Sequence, residues 1–253
     1  MKFRRTLLPL LALLLLSLPG CASSPSFSRA ADPILSQPVS DIALPRNPIQ
    51  AIEDSSSDTT YLLFVLGAQE TGPTALLRAA SGELEGEFSF PFPATGGFLP
   101  AAALFELDGG ASGLLQDVPL DSGTGVNVHS LFVIVPDEGS AAFAAYALPG
   151  SLIEDLAAAL TFRSSGDALT FSIAGQTLSV PSGGALPSGA GVTLDTPGDL
   201  LTFDLSGAAP VLSLGLAVSA GDAHHISAAR LSARISFQGG AFTLSDLSLH
   251  SLD

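Results

Sequence analysis

Short apolar runs separated by glycine, proline and serine make up most of the chain after residue 60. The clearest pattern lies at 227–237, where two sets of side chains alternate: Leu231, Ala233, Ile235 and Phe237 against Arg230, Ser232, Arg234 and Ser236. A period of two places each set on one face of a β-strand. Gly239 and Gly240 follow, and they suit a type I′ turn because both of its central residues have positive φ. The pattern therefore predicts a β-hairpin in this part of the chain.

The second strand of this hairpin changes phase between Leu244 and Leu247. Such a change within a strand indicates a β-bulge, here near Asp246. We expect the bulge to turn Asp246 outward, within reach of Arg230 or Arg234 on the partner strand.

Other segments also have the length and composition of strands. They are the apolar runs at 61–66 and 101–107, the run at 87–92 with phenylalanines on one side, and the stretches at 167–175 and 199–207. The last two share a Leu-Thr-Phe sequence, and we expect them to be similar strands of one sheet. Residues 126–135 and 140–148 flank a Pro-Asp-Glu-Gly sequence that is typical of a turn, which predicts another hairpin.

One segment predicts a helix. Pro149-Gly150 interrupts the strand pattern, and Ser151 and Glu154 have the spacing of a capping box. Apolar residues then recur near helical spacing, at Leu152, Ile153, Leu156 and Leu160. A short helix near 152–160 is expected. The sequence thus predicts an all-β fold, mainly an antiparallel sandwich or a barrel-like sheet, with one short helix.

The first 21 residues have a different composition. A basic head with Lys2, Arg4 and Arg5 precedes the leucine-rich stretch 7–18, which is the order of a secretory signal. The stretch is too short for a permanent span, because a helix needs about 20 residues to cross a bilayer. It is followed directly by Leu18-Pro19-Gly20-Cys21.

This leader resembles that of the bacterial lipoproteins, in which Leu-x-Gly-Cys is the lipobox. The resemblance implies that residues 1–20 are removed as a signal peptide and that Cys21 is lipidated and becomes the first residue. Cys21 is also the only cysteine, so no internal disulfide can form. The implied partner is a membrane of the cell envelope, with the domain outside the cytoplasm. Ala22, in place of an aspartate, favours the outer membrane if the cell has two.

The segment from Cys21 to residue 59 contains five prolines, at 25, 33, 38, 45 and 48, and a polar run at 53–58. This composition predicts a flexible tether after the lipidated N-terminus. Residues 60–253 are then expected to form the β-rich globular domain. A division of this domain near 149–150 is the alternative.

Charge excludes one class of partner. The sequence has a formal net charge of −15, and removal of residues 1–20 leaves six arginines against 24 acids, a formal charge of −18. Such a surface repels nucleic acid and anionic lipid headgroups. We therefore expect no nucleic-acid partner.

A search for catalytic and cofactor motifs finds no nucleophile elbow, phosphate-binding loop or His-Glu-x-x-His sequence, and no cofactor is expected. Among the four histidines, at 129, 224, 225 and 250, the best metal candidate is the pair Asp222 and His224. The glycine-rich region with Asp108, Asp117 and Asp121 is a candidate for calcium. Both patterns are more typical of polar turns, so no metal site is predicted.

Three functions remain open. The leading hypothesis is a non-enzymatic envelope lipoprotein that acts as an interaction or structural module. The high mean hydropathy of +0.47 keeps a second hypothesis open, a carrier or chaperone of lipid or another hydrophobic ligand. A hydrolase without a recognisable motif is the third. A large apolar internal pocket would favour the carrier, and a solid core with an exposed apolar patch would favour the interaction module.

Overall fold

A computed structural model describes residues 25–252 apart from 70–71, 94–97, 108–109, 111, 124–125, 138, 140–141, 183–190, 196–199, 208 and 221–222; at 68–69 and 223–225 it describes the backbone alone. Within these residues the strands, in chain order, are β1 (Phe27–Ala30), β2 (Pro33–Leu35), β3 (Gln50–Asp54), β4 (Thr59–Gln69), β5 (Gly72–Ser81), β6 (Leu84–Pro91), β7 (Ala101–Glu106), β8 (Ser112–Gly123), β9 (Val126–Asp137), β10 (Ala142–Ala147), β11 (Thr161–Ser165), β12 (Ala168–Ile173), β13 (Gln176–Pro181), β14 (Val192–Leu194), β15 (Leu200–Asp204), β16 (Val211–Ala220), β17 (Ala223–Gln238) and β18 (Ala241–Ser251). The helix α1 (Gly150–Ala159) follows β10. The predicted all-β class with one short helix is confirmed.

The strands form three sheets. The largest is curled and has the order β1-β18-β17-β16-β15-β9-β10-β2, with β14 beside β16 and with β8 and β7 as a branch from β9. A second sheet has the order β3-β4-β5-β6, and a third has the order β11-β12-β13. The two Leu-Thr-Phe strands, β12 and β15, lie in different sheets, so the expectation of one common sheet is wrong.

Strand β9 is the branch point of the largest sheet. One of its edges pairs with β8 from Val126 to Ile134. A strand has only two edges, so β15 and β10 share the second edge of β9. Strand β15 pairs with residues 127–128 of β9, and β10 pairs with residues 132–137.

The segment from Phe27 to residue 35 connects the two ends of this sheet. Strand β1 pairs with β18, β2 pairs with β10, and only Ala31 and Asp32 lie between them. The Ala31 amide donates to the Gly240 carbonyl at 2.8 Å. The predicted flexible tether over 22–59 therefore needs correction, because β1, β2 and β3 all lie within it. The partners of β1 and β2 are distant in sequence, so the local pattern could not reveal these two strands, whereas β3 forms a hairpin with the adjacent β4 and lies in the part of the sequence that was assigned to the tether.

Two clusters of buried side chains form the core. The larger one lies between the curled sheet, α1 and the sheet β11-β12-β13, and includes Leu131, Leu152, Phe171 and Leu214, all 0% exposed. The smaller one lies between the sheet β3-β4-β5-β6 and the strands β7 to β10. Adjacent residues of β9 point to opposite faces, and Val133 and Ile134 enter different clusters. This part of the sheet is therefore buried on both faces.

The hairpin β17–β18 confirms the pattern seen in the sequence. The alternating apolar residues of β17 are buried, and Gly239 and Gly240 have φ values of 56° and 81°. The register shifts opposite Asp246, whose φ of 50° marks the predicted bulge. The exposed Asp246 carboxylate lies 3.9 Å from the Arg234 guanidinium, as expected. Both side chains are more than half exposed, so this ion pair adds little stability.

Helix α1 lies where the sequence predicts a helix, but the predicted capping box is wrong. The helix starts at Gly150, and its N-cap is Pro149, which makes no side-chain cap hydrogen bond. Ser151 is therefore already inside the first turn. In the described part of the chain, no helix combines the length and apolar character needed to cross a membrane. The apolar stretch 7–18 lies outside the described residues.

Candidate functional site

A surface groove lies where three turns and the end of one strand meet, and it is the main candidate site. The β3–β4, β7–β8 and β17–β18 turns and the end of β9 surround a volume of about 620 Å³. The groove is lined by Ser56, Ser57, Leu107, Gly110, Ser112, Val135, Pro136, Asp137, Tyr146, Phe237, Gln238, Gly239 and Gly240. It is open to solvent and combines polar and apolar walls.

Asp54 holds the serine side of the groove in place. Its carboxylate, which is only 4% exposed, accepts hydrogen bonds from the Ser56 amide at 2.9 Å and from the hydroxyls of Ser56 and Ser57 at 2.7 and 2.6 Å. Burial raises the pKa of Asp54, but these serine hydrogen bonds outweigh it, so that the pKa lies below its usual value of 3.8. Ser56 Oγ is also 2.8 Å from Ser112 Oγ, which joins the β3–β4 and β7–β8 turns.

Aromatic rings form the opposite side of the groove. The ring of Tyr146 in β10 is half-buried and lies 5.1 Å from that of Phe237 in β17, which packs in turn on Phe242. A β-carbon at Gly240 would lie 3.5 Å from the Tyr146 ring. The glycine turn predicted from the sequence thus forms part of this wall.

The lining of the groove restricts its chemistry. Its described residues include serines, Gln238 and Asp137, but no lysine, arginine or histidine. An anionic ligand would therefore find no counter-charge, and the serine hydroxyls would find no imidazole base. This chemistry suits recognition of a neutral or cationic group.

A second polar cluster is buried between β8 and β9. Asp117 and His129, 7% and 8% exposed, are joined by hydrogen bonds from His129 Nδ1 to both carboxylate oxygens, at 2.9 and 3.1 Å. His129 Nε2 lies 3.1 Å from Asn127 Oδ1, and the Phe98 ring packs edge-on at 5.7 Å. Both ring nitrogens are thus occupied by neighbouring side chains. A general base needs a free nitrogen facing substrate, so this pair is a structural link between two strands.

From the sequence, Asp117 was a candidate calcium ligand and His129 one of four histidines, and no contact between the two was predicted. The available signal was a polar residue inside each of two apolar strand-length runs. Polar side chains in buried strands need hydrogen-bond partners, and two such residues on neighbouring strands can supply them to each other. Asp121 is exposed on β8, and Asp108 lies outside the described residues.

The other predicted site residues are only partly visible. Cys21 and Asp222 lie outside the described residues, and His224 lies in β17 with its side chain not described. His250 is exposed, with Nε2 2.8 Å from Ser248 Oγ. The described residues contain no group of three or more metal-ligating side chains.

A third feature, the N-terminal apolar segment, comprises residues 34–49. It carries five large apolar side chains that are at least a third exposed: Ile34, Leu35, Val39, Ile42 and Ile49. A partly buried ionic network fixes its middle part. Arg78 Nε donates to Glu87 at 2.9 Å, Arg78 Nη2 donates to the Ser40 carbonyl at 2.7 Å, and the Ser40 hydroxyl donates to Glu87 at 2.7 Å.

Comparison with known protein families, with curated proteins and with solved structures finds no match for this chain.

Proposed function

We propose that the chain is a cell-envelope lipoprotein, held to a membrane through Cys21, whose domain is a non-enzymatic interaction module. The observation that carries the proposal is the filled interior of the curled sheet. Its concave face is covered by α1 and by the sheet β11-β12-β13, whose side chains Leu152, Leu156 and Phe171 are fully buried there. The groove and the N-terminal apolar segment are both on the surface, where a partner can reach them.

The carrier hypothesis finds less support. A carrier of a lipid-sized molecule needs an internal apolar cavity of roughly 300–1,000 Å³. In the larger core, the described side chains of the curled sheet pack against those of α1 and the sheet β11-β12-β13. The described groove is of suitable size, but it is open and half polar.

The hydrolase hypothesis also finds less support. Among the described residues, the buried histidine with a carboxylate partner, His129, has no free ring nitrogen. The serines of the groove have the Asp54 carboxylate beside them, and a carboxylate alone is a weak base for a hydroxyl. The geometry favours binding over hydrolysis.

The first experiment tests the anchor and the filled interior together. The full-length chain is expressed in a Gram-negative host, beside Cys21→Ser as the matched control, and the intact mass of each product is measured. We expect the native chain in the membrane fraction, cleaved before Cys21 and heavier by covalent acyl chains, and the control without them. A native chain of unmodified mass would refute the anchor. A further non-covalent lipid, bound at one per chain and extracted by organic solvent, would refute the filled interior and favour the carrier.

A further inference from the structure

Exposed apolar side chains are concentrated in the N-terminal apolar segment. Ten large apolar residues are identified as exposed in the described part of the chain, and five of them lie between Ile34 and Ile49. A concentration of exposed apolar side chains in one segment favours contact with another molecule or a membrane. We therefore expect a molecule or surface that covers this segment.

The charge of the segment differs from that of the rest of the chain. Within the segment, Arg46 balances Asp41, and just before it Arg29 balances Asp32, so that residues 25–49 together have a formal charge of zero. The formal charge of −18 of the mature chain thus comes from residues 50–253. A bilayer with anionic lipids repels that large acidic surface but not the neutral segment.

The length of chain between the proposed anchor and the fold points to the same surface. Five residues separate Cys21 from Phe27, where β1 begins. A fully extended chain covers about 3.3–3.6 Å per residue, so β1 starts within about 20 Å of the lipidated sulfur. The domain cannot be held far from the membrane, and its N-terminal strands follow the anchor directly along the chain.

We propose that the N-terminal apolar segment rests on the membrane that holds Cys21, with the apolar side chains of Leu35 and Ile42 in the interfacial region. This inference rests on the lipid anchor proposed above. The surface is preformed, because β2 is paired with β10 and Ser40 is fixed by Arg78 and Glu87. The acidic remainder of the domain then faces away from the headgroups.

The absence of tryptophan from the sequence makes a direct test possible. Leu35→Trp introduces a single fluorophore at a side chain that is 47% exposed, and Leu120→Trp is the matched control at 51%. Leu35 of β2 pairs with Ala144 of β10, which pairs in turn with Val135 of β9, so Leu35 and Val135 lie at the same height in the sheet. Leu120 lies about 20 Å farther along the neighbouring β8, at ~3.3 Å per residue. Ile42→Trp is a second probe in case Leu35→Trp does not fold.

Each lipidated variant is reconstituted into phosphatidylcholine vesicles with and without bromine on the acyl chains near the headgroup. Interfacial side chains lie ~5–10 Å into the headgroup and acyl boundary, so we expect about twofold quenching of the Leu35→Trp or Ile42→Trp emission by brominated lipid. The Leu120→Trp emission should not change. Equal emission of Leu35→Trp and Ile42→Trp in the two vesicles, with the acyl mass present on Cys21, would overturn the membrane contact alone. Absence of the acyl mass would overturn the anchor and this inference with it.

Discussion

Gly86 of β6 lies so close to the N-terminal segment that a β-carbon at this position would overlap Ser36. The added atom would be 2.7 Å from Ser36 Cβ, closer still to Ser36 Oγ, and 3.1 Å from the Phe143 ring. Ser36 has little room to move, because its amide donates to the Phe143 carbonyl at 2.8 Å and its hydroxyl accepts from the Phe143 amide at 3.0 Å. The substitution Gly86→Ala therefore tests whether this segment is a fixed part of the fold.

The cost of Gly86→Ala follows from these contacts. Overpacking a buried site costs about 1–3 kcal/mol, and the lower entropy of the unfolded chain returns only about 0.4–1 kcal/mol. We expect a net loss of about 1–2 kcal/mol in the free energy of unfolding. In a chain of this size, each kcal/mol of lost stability lowers the melting temperature by about 2–4 °C. The melting temperature of Gly86→Ala should therefore fall by about 2–8 °C.

A double-mutant cycle identifies the overlap as the cause. Ser36→Gly removes both overlapping atoms, so adding Gly86→Ala to it should cost almost nothing. Ser36→Ala keeps its β-carbon, so in that background Gly86→Ala should retain most of its cost. Urea unfolding followed by circular dichroism gives each free energy. A neutral Gly86→Ala, or equal cost in the two backgrounds, would refute the packing described for residue 36.

Two further predictions concern buried polar groups of β3 and β4. Asp54→Asn should lower the free energy of unfolding by about 1–3 kcal/mol at pH 7, because the hydrogen bonds from Ser56 and Ser57 favour the charged carboxylate. The pKa of Asp54 is lowered in the folded state, so this stabilisation is present above the unfolded pKa of 3.8 and is lost as pH falls through the lower folded pKa. Urea unfolding of both proteins from pH 7 to pH 3 should therefore show their difference in free energy of unfolding shrinking below about pH 3.8. A difference that stays constant over this range would contradict the assignment. Tyr61→Phe should be neutral or stabilising by up to about 1 kcal/mol, because the Tyr61 hydroxyl is buried and no partner is found for it among the described residues. Thermal unfolding tests this, and a loss above about 1 kcal/mol would show that the hydroxyl has a partner.

Elements with a strong local signal could be predicted from the sequence. The period-two alternation of β17 indicates which residues share a face. The two glycines of the turn indicate positive φ, and the phase change at Asp246 indicates a shift of register. These properties depend on neighbours in sequence. They were therefore predicted at the right residues.

Features that depend on distant pairing could not be predicted. Strand β2 has three residues, and its first, Pro33, is tolerated because β2 is an edge strand. Nothing local distinguishes such a strand from a tether. The groove likewise forms only because three turns and the end of β9, from distant parts of the chain, meet. The Asp117–His129 pair required the register of β8 against β9.

The pairing of β1 with β18 has a consequence for folding. Thr243 in β18 donates to Ser28 in β1, 215 positions away, and β2 pairs with β10 from the middle of the chain. Contacts between such distant residues slow folding, because a large loop must close before they form. During synthesis, β1 is made long before its partner strand β18. Until β18 is made, β1 has no partner strand, so the nascent protein needs protection from aggregation during this interval.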